Sequence, residues 1–283
     1  MPFAQSAGAK LYFEETGSGY PIIFVHEFAG DCRSWEAQVR YFSRQYRCIT
    51  FNARGYPPSD VPDHDDAYGQ NHAADDVAAV LNHLKIERAH VVGLSMGAFA
   101  ALHFAMRHPA LPSALVVAGC GSGAPKSERE SFKRGCDATA ERFLKDGSAK
   151  VAPGLGLGAT RVQLQNKDPR GWEEFVRHVS EHSAAGSAFT LRNYQGLRPS
   201  LYDLTDQLAR LTVPILLAVG DEDEPCLDGS VFLKRIVPTA GLLVIPRSGH
   251  NIPSEEPALF NAALAELFAS AEAGRWLAHK PNS

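Results

Sequence analysis

The amino-acid sequence predicts an α/β protein with a mostly parallel sheet and a helical insertion. Three observations carry this reading. Short apolar runs alternate with helix-periodic stretches over the first 120 residues, as in chains of successive strand–helix–strand units. One apolar run, His90-Val91-Val92, leads straight into Gly93-Leu94-Ser95-Met96-Gly97 and then a helical stretch. Strand-like runs then cease between residues 122 and 203 and resume at Val213.

Leu11 to Glu14 and Pro21 to Val25 read as strands separated by the turn-prone Gly17-Ser18-Gly19. Arg47 to Asn52 is a third strand. Val77, Val80, Leu81 and Leu84 share one helical face, with Asn71 as the N-cap. The helix after Ser95 stops before Pro109, and Ala114 to Ala118 is another apolar strand. Within 122–203 only helix-like stretches and a flexible glycine-rich loop, Gly154 to Gly158, are expected. Val213 to Val219 and Gly241 to Ile245 restore the strand pattern, and a final helix spans Pro257 to Ala269. The chain thus divides into a core (1–121), a helical cap (122–203), a second part of the core (204–270) and a poorly ordered tail (271–283).

A chain of 283 residues can bury a sizeable core unaided. The net charge of −4 comes with no basic block to seat a phosphate backbone, so nucleic acid is an unsuitable partner. Cysteines at 32, 48, 120, 136 and 226 form no C-x-x-C pair, which argues against a disulfide framework or a zinc ribbon. No apolar run approaches membrane-spanning length and the first ten residues lack a signal-peptide pattern. The expectation is a cytoplasmic protein acting on small molecules, monomer or dimer, with no cofactor and no metal.

The segment Gly93-Leu94-Ser95-Met96-Gly97 matches G-x-S-x-G in the strand–turn–helix context that gives the pattern meaning. A sharp turn needs small residues on both sides of the serine, and it lifts the hydroxyl above the sheet. The following helix N-terminus, with the Met96 N–H, can stabilise an oxyanion. A serine nucleophile needs a base, and the base needs an orienting acid. His250 follows an apolar strand in Ser248-Gly249-His250, and Gly220-Asp221-Glu222-Asp223 follows another. Both ends lie on the edge where open α/β sheets build their sites. Asp223 is the expected acid and Asp221 the alternative.

These motifs, with V-H-E-F-A-G at 25–30 and F-N-A-R-G-Y-P-P-S-D at 51–60, make the chain resemble the α/β-hydrolase superfamily over nearly its whole length. The resemblance is to capped carboxylesterases, lactonases and C–C hydrolases. It implies an eight-stranded, mostly parallel sheet flanked by helices, with the insertion as a lid. It also implies a second oxyanion donor, the Phe28 backbone N–H. Two departures stand out. Glu27 replaces a usual glycine and is expected to point away from the site or to pair with a cation such as Arg54. Tyr56-Pro57-Pro58 replaces a usual glycine-bearing stretch and should stiffen one pocket wall.

Other signals are weaker. His178-Val179-Ser180-Glu181-His182 matches a zinc-peptidase pattern but lies in the expected lid and lacks a third ligand. The acidic cluster around residues 63–66, with His72, Asp75 and Asp76, reads as solvated surface. His26 and His103 read as packed histidines. Cys120, in a glycine-rich hinge after a strand, reads as lying near the pocket. The whole predicts a serine hydrolase for small or medium, largely apolar esters, thioesters or lactones. The alternatives are cleavage of C–C bonds in ring-fission diketones, cofactor-free haloperoxidase or perhydrolase activity, and a non-catalytic ligand receptor. Epoxide hydrolases and haloalkane dehalogenases use an aspartate nucleophile, which Ser95 argues against.

Overall fold

The computed structural model describes residues 2–279. Eight strands are found among them: β1 (Phe3–Ser6), β2 (Ala9–Thr16), β3 (Tyr20–Val25), β4 (Tyr46–Phe51), β5 (Ala89–Leu94), β6 (Pro112–Ala118), β7 (Ile215–Gly220) and β8 (Ala240–Ile245). They form one sheet in the order β1-β2-β4-β3-β5-β6-β7-β8. β2 is antiparallel to both its neighbours, and the pairings from β4 to β8 are parallel. Every residue of β5 and β7 is buried, the signature of parallel strands covered on both faces. β1 was not expected. It is four residues long and gains its partner through a turn at Gly8, too little pattern to read alone.

The core helices are α1 (Glu36–Phe42), α2 (Gln70–His83) and α3 (Met96–Arg107), before the long β6–β7 connection. That connection holds α4 (Arg129–Asp146), α5 (Ser148–Gly156), α6 (Val162–Lys167), α7 (Pro169–Ser180) and α8 (Ala184–Phe189). The chain then re-enters through α9 (Thr205–Leu208) and continues with α10 (Glu224–Ile236), α11 (Ile252–Glu255) and α12 (Pro257–Glu272). α2, α3 and α10 cover one face of the sheet through residues such as Val77, Leu81, Phe104 and Leu233. α1 and α12 cover the other through Trp35, Phe42, Phe260 and Phe268. Each such side chain contributes about 1.5–3 kcal/mol by leaving water. No described helix is long and apolar enough to cross a membrane.

A third apolar cluster joins the connection to the core. Phe28, Tyr56 and Met96 pack there against Cys136, Phe143 and Leu191. The two ends of the connection are clasped together. Arg198 Nη2 donates to Ser122 O at 2.6 Å, Ser200 Oγ to Ala124 O at 2.5 Å, and Arg129 Nη2 to Arg198 O at 2.6 Å. From Leu201 the chain is again part of the sheet-covering core.

Several expectations change. Gly154 to Gly156 are helical, not a loop, because α7 lies close against α5 and Trp172 Nε1 donates to Gly156 O at 3.2 Å. α2 begins at Gln70 after Gly69, so Asn71 sits inside its first turn instead of capping it. The acidic cluster is not all solvated: Asp76 is buried and takes two hydrogen bonds from Arg54, at 2.7 and 2.8 Å, and one from Ser6 Oγ at 2.5 Å. The tail is ordered beyond its expected start. α12 runs to Glu272, Trp276 Nε1 donates to Thr239 O at 2.8 Å, and the His279 N–H reaches Pro238 O at 2.7 Å. Residues 280–283 of the expected tail, and Met1 at the start of the core, lie outside the described residues.

Candidate active site

β5 delivers Ser95 with φ 54° and ψ −114°, a conformation costly for an L-residue and typical of strained functional turns. Both flanking glycines are required by close approach. A Cβ on Gly93 would lie 2.6 Å from the Gly97 carbonyl carbon, and one on Gly97 would lie 2.6 Å from that of Val25. The turn therefore rests against the end of β3, bringing the residues after Val25 beside the serine.

His250 lies on the loop after β8, and Asp223 directly precedes α10 after β7. His250 Nδ1 donates to Asp223 Oδ2 at 2.7 Å, which leaves Nε2 for the reacting side. Asp221, the alternative acid, instead accepts the Ser248 N–H at 3.1 Å and shapes the histidine loop. Burial opposes the charged imidazole, but the Asp223 charge and hydrogen bond outweigh it and push the His250 pKa up from 6.5 to about 10. Burial opposes the Asp223 carboxylate as well, yet His250 holds its pKa below the usual carboxylate range. Among the described residues Ser95 Oγ makes no hydrogen bond, and His250 Nε2 faces Glu27 Oε2 at 4.0 Å. Triad hydrogen bonds are commonly loose before substrate arrives.

Two residues support this loop in roles the sequence does not reveal: Glu255, which it does not single out, and Gly119, which it marks only as part of a hinge. Glu255 accepts the Gly249 N–H at 2.6 Å and the Asn251 N–H at 3.1 Å, pinning the chain on either side of the imidazole. Gly119, at φ +56°, leaves the space in which His250 and Asp223 meet; a Cβ there would stand 3.2 Å from the ring. A buried carboxylate reaching back to two backbone donors has no short sequence signature. A glycine just past an apolar strand does hint at such a seat.

The Phe28 and Met96 N–H groups donate to no protein atom among the described residues. Each is aimed through its own peptide plane, since a trans peptide directs N–H and C=O in opposite senses. The carbonyl opposite the Phe28 N–H is Glu27 O, which accepts His26 Nδ1–H at 2.7 Å and the Gly30 N–H at 3.1 Å. The carbonyl opposite the Met96 N–H is Ser95 O, which accepts Ala98 and Phe99 N–H groups at 2.9 and 3.1 Å. His26 Nε2 takes the Ala53 N–H at 3.0 Å, so its Nδ1 carries the proton. Burial lowers the His26 pKa to about 4, which keeps that neutral tautomer. His26 is thus a packed histidine, as expected, but one that sets the orientation of a peptide donor. His103 is also buried, with its pKa lowered by burial to about 4.

Glu27 pairs with a cation, one of the two outcomes expected, but the cation is not Arg54, whose guanidinium is committed to Asp76. It is buried and held by Arg161, from the loop before α6. Burial opposes its charge, but Arg161 lowers its pKa below the ordinary value. The cleft above Ser95 holds about 370 Å³ and is lined by Phe28, Thr160, Arg161, Leu191 and His250, among others. Cys120 is buried and is not on its wall; Cys226 is the cysteine beside the imidazole, its Sγ 3.9 Å from His250 Nδ1.

Asp223, Cys226 and His250 form a buried group with donor atoms within 4.8 Å of one another, a spacing compatible with a metal ion. The chemistry does not fit well. Asp223 and His250 are already bonded to each other, and burial raises the Cys226 thiol pKa, whereas metal binding needs a thiolate. The H-x-x-E-H residues serve to dock α7 on the core: His182 Nε2 meets Asp31 Oδ2 at 3.2 Å and Glu181 Oε2 accepts from Arg33 Nη1 at 2.5 Å.

A strained serine at a strand–helix turn, with a His–Asp pair from the loops after β7 and β8, is the arrangement expected of an α/β hydrolase. The family model for the alpha/beta hydrolase fold matches residues 20–257, and the chain belongs to that family. It is 29% identical to the AB hydrolase superfamily protein YisY of Bacillus subtilis, over 91% of this chain and 94% of that one. It is 26% identical to 3-oxoadipate enol-lactonase 2 of Acinetobacter baylyi, over 86% of each. The solved structure of a thermophilic esterase from Thermogutta terrifontis superposes with a TM-score of 0.84 at 26% identity, covering 95% of this chain and 97% of that one.

Proposed function

We propose that the protein is a serine hydrolase acting on small or medium esters, thioesters or lactones. The observation that carries this is the 2.7 Å His250–Asp223 pair on the same sheet edge as the strained Ser95 turn. In this reading His250 takes the Ser95 proton at Nε2 while Ser95 Oγ attacks the substrate carbonyl carbon. The Phe28 and Met96 N–H groups hold the oxyanion. Asp223 fixes the tautomer and balances the imidazolium. His250 then protonates the leaving alkoxide, and the acyl-enzyme is released by a water that gives its proton to the same nitrogen. The connection over 122–203 acts as a lid whose residues shape the acyl and alcohol sites.

The esterase and enol-lactonase names of two relatives support the substrate range. Ser95→Ala is expected to lower turnover of a p-nitrophenyl ester by about 10⁴-fold or more. Retention of near-wild-type activity would refute the reading. Labelling of Ser95 by a fluorophosphonate separates a working triad from a ligand receptor on the same fold, which should not react.

A further inference from the structure

The lid places one cation in the cleft, and the core supplies its counter-charge from an unusual position. Arg161 Nη1 donates to Glu27 Oε1 at 2.7 Å, and Nη2 donates to Glu27 Oε2. The carboxylate is buried at 1% exposure, while Arg161, at 14%, is the member of the pair that lines the cleft with Ser95 and His250. A guanidinium has five N–H donors, of which this pairing uses two. Among the described residues the Arg161 Nε–H and the remaining Nη hydrogens have no acceptor. Arg161 is also held from behind: its guanidinium carbon sits 5.6 Å from the Phe175 ring centre, and the neighbouring Thr160 carbonyl accepts the His250 N–H at 2.6 Å. The unused donors are therefore fixed in register with the catalytic loop.

Charge decides what they can receive. In the reactive form, with His250 neutral, Asp223 and Glu27 contribute −2 and Arg161 +1, so the cleft carries −1; with His250 protonated the same four groups sum to zero, and in neither form is there a net positive charge. A lone arginine would draw in a carboxylate. This one is already neutralised, and two carboxylates stand behind it. We infer that Arg161 is a specificity-determining residue whose free N–H groups bind a neutral carbonyl, ether or hydroxyl oxygen of the substrate, and that Glu27 excludes substrates carrying a carboxylate. This rests on the serine-hydrolase reading and narrows it, from apolar substrates at large to uncharged ones bearing a second oxygen. It also gives Glu27, beside the oxyanion loop, a purpose: it lets an arginine serve as a hydrogen-bond donor without acting as an anion trap.

The test compares kcat/KM for matched esters in wild type, Glu27→Gln, Arg161→Gln and the double variant. The acyl-side set is p-nitrophenyl butyrate, 3-methoxypropanoate and hemisuccinate; the alcohol-side pair is phenyl butyrate and 4-carboxyphenyl butyrate. In the set that reaches Arg161, wild type should disfavour the carboxylate-bearing ester by about tenfold or more. Glu27→Gln should erase or reverse that ratio, and Arg161→Gln should widen it. The double variant should lose the preference for methoxypropanoate over butyrate. Should either single variant fail to fold with its partner charge stranded, the double variant, neutral as a pair, carries the test. The inference is overturned if every variant changes matched esters by a common factor, or if the double variant keeps the wild-type ratios. Wild type that hydrolyses none of these esters and resists fluorophosphonate overturns the underlying reading as well; an active wild type with unresponsive ratios overturns this inference alone.

Discussion

The sheet edge and the β6–β7 connection build the same cleft by different means. On the sheet edge, Ser95 follows β5 directly, and Asp223 and His250 follow β7 and β8 within three and five residues, so neighbouring strand ends bring them together. In the connection, Arg161 and Tyr194 arrive from helices and loops with no sheet to position them, and they are held by contacts with the core. Tyr194 Oη donates to Met96 O at 2.8 Å, and Tyr56 Oη on the core side donates to Phe28 O at 2.9 Å. Phe28 and Met96 are thus both braced at their carbonyls, one from each region. The contrast separates two requirements: bond chemistry depends on rigid geometry, whereas substrate choice can be entrusted to a segment free to vary.

That contrast breaks most directly at the largest effects on turnover, which should lie on the sheet edge. Asp223→Asn is expected to lower kcat by about 10⁴-fold in a steady-state ester assay, by stabilising the wrong imidazole tautomer. Asp76→Ala strands the buried Arg54 charge and should cost about 3–5 kcal/mol of stability in chemical denaturation, with no direct contact to the cleft. His26→Phe removes the donor that aims the Phe28 peptide and should lower kcat by about 10²-fold, near the cost of one oxyanion donor, with KM little changed. Tyr194→Phe, in the connection, deletes the neutral hydrogen bond to Met96 O and a longer one accepted from Gln70 Nε2 at 3.4 Å, and should lower kcat by no more than about tenfold. A loss from Tyr194→Phe as large as that from His26→Phe would show the connection to be part of the rigid machinery.

The His250 shift adds a pH signature. Its pKa in the folded, substrate-free protein is raised to about 10, so the base form is scarce at neutral pH and kcat/KM should rise with pH through the neutral and mildly alkaline range. The same group stabilises the fold in the opposite sense. Its folded pKa exceeds the unfolded value, so its contribution is complete below about 6.5 and is lost as pH climbs towards about 10. An activity profile with its acid limb at or below pH 6.5 would contradict this.

The sheet edge was legible because its requirements are local. Gly93, Ser95 and Gly97 must be adjacent in sequence to make the turn, and Asp223 and His250 announce themselves as polar residues just past apolar strands. Glu27 shows where local reading fails. Its oddity was visible, but Arg161, 134 residues away, could not be chosen over Arg54 without knowing how the connection folds back. Glu255 and Gly119 escaped for a related reason: their roles come from what a fold brings near them. At the α5 glycines, turn propensity yields to tertiary packing against Trp172.

The clasp between residues 122–124 and 196–200 carries a consequence for how such a chain can diversify. A segment whose two ends already touch can be lengthened, shortened or replaced while the rest of the protein feels only a small change in loop-closure entropy. The region between the clasps therefore behaves as an exchangeable cassette. Swapping it for the corresponding segment of another family member, cut at the same two points, should transfer substrate preference while leaving Ser95, Asp223 and His250 on their original scaffold.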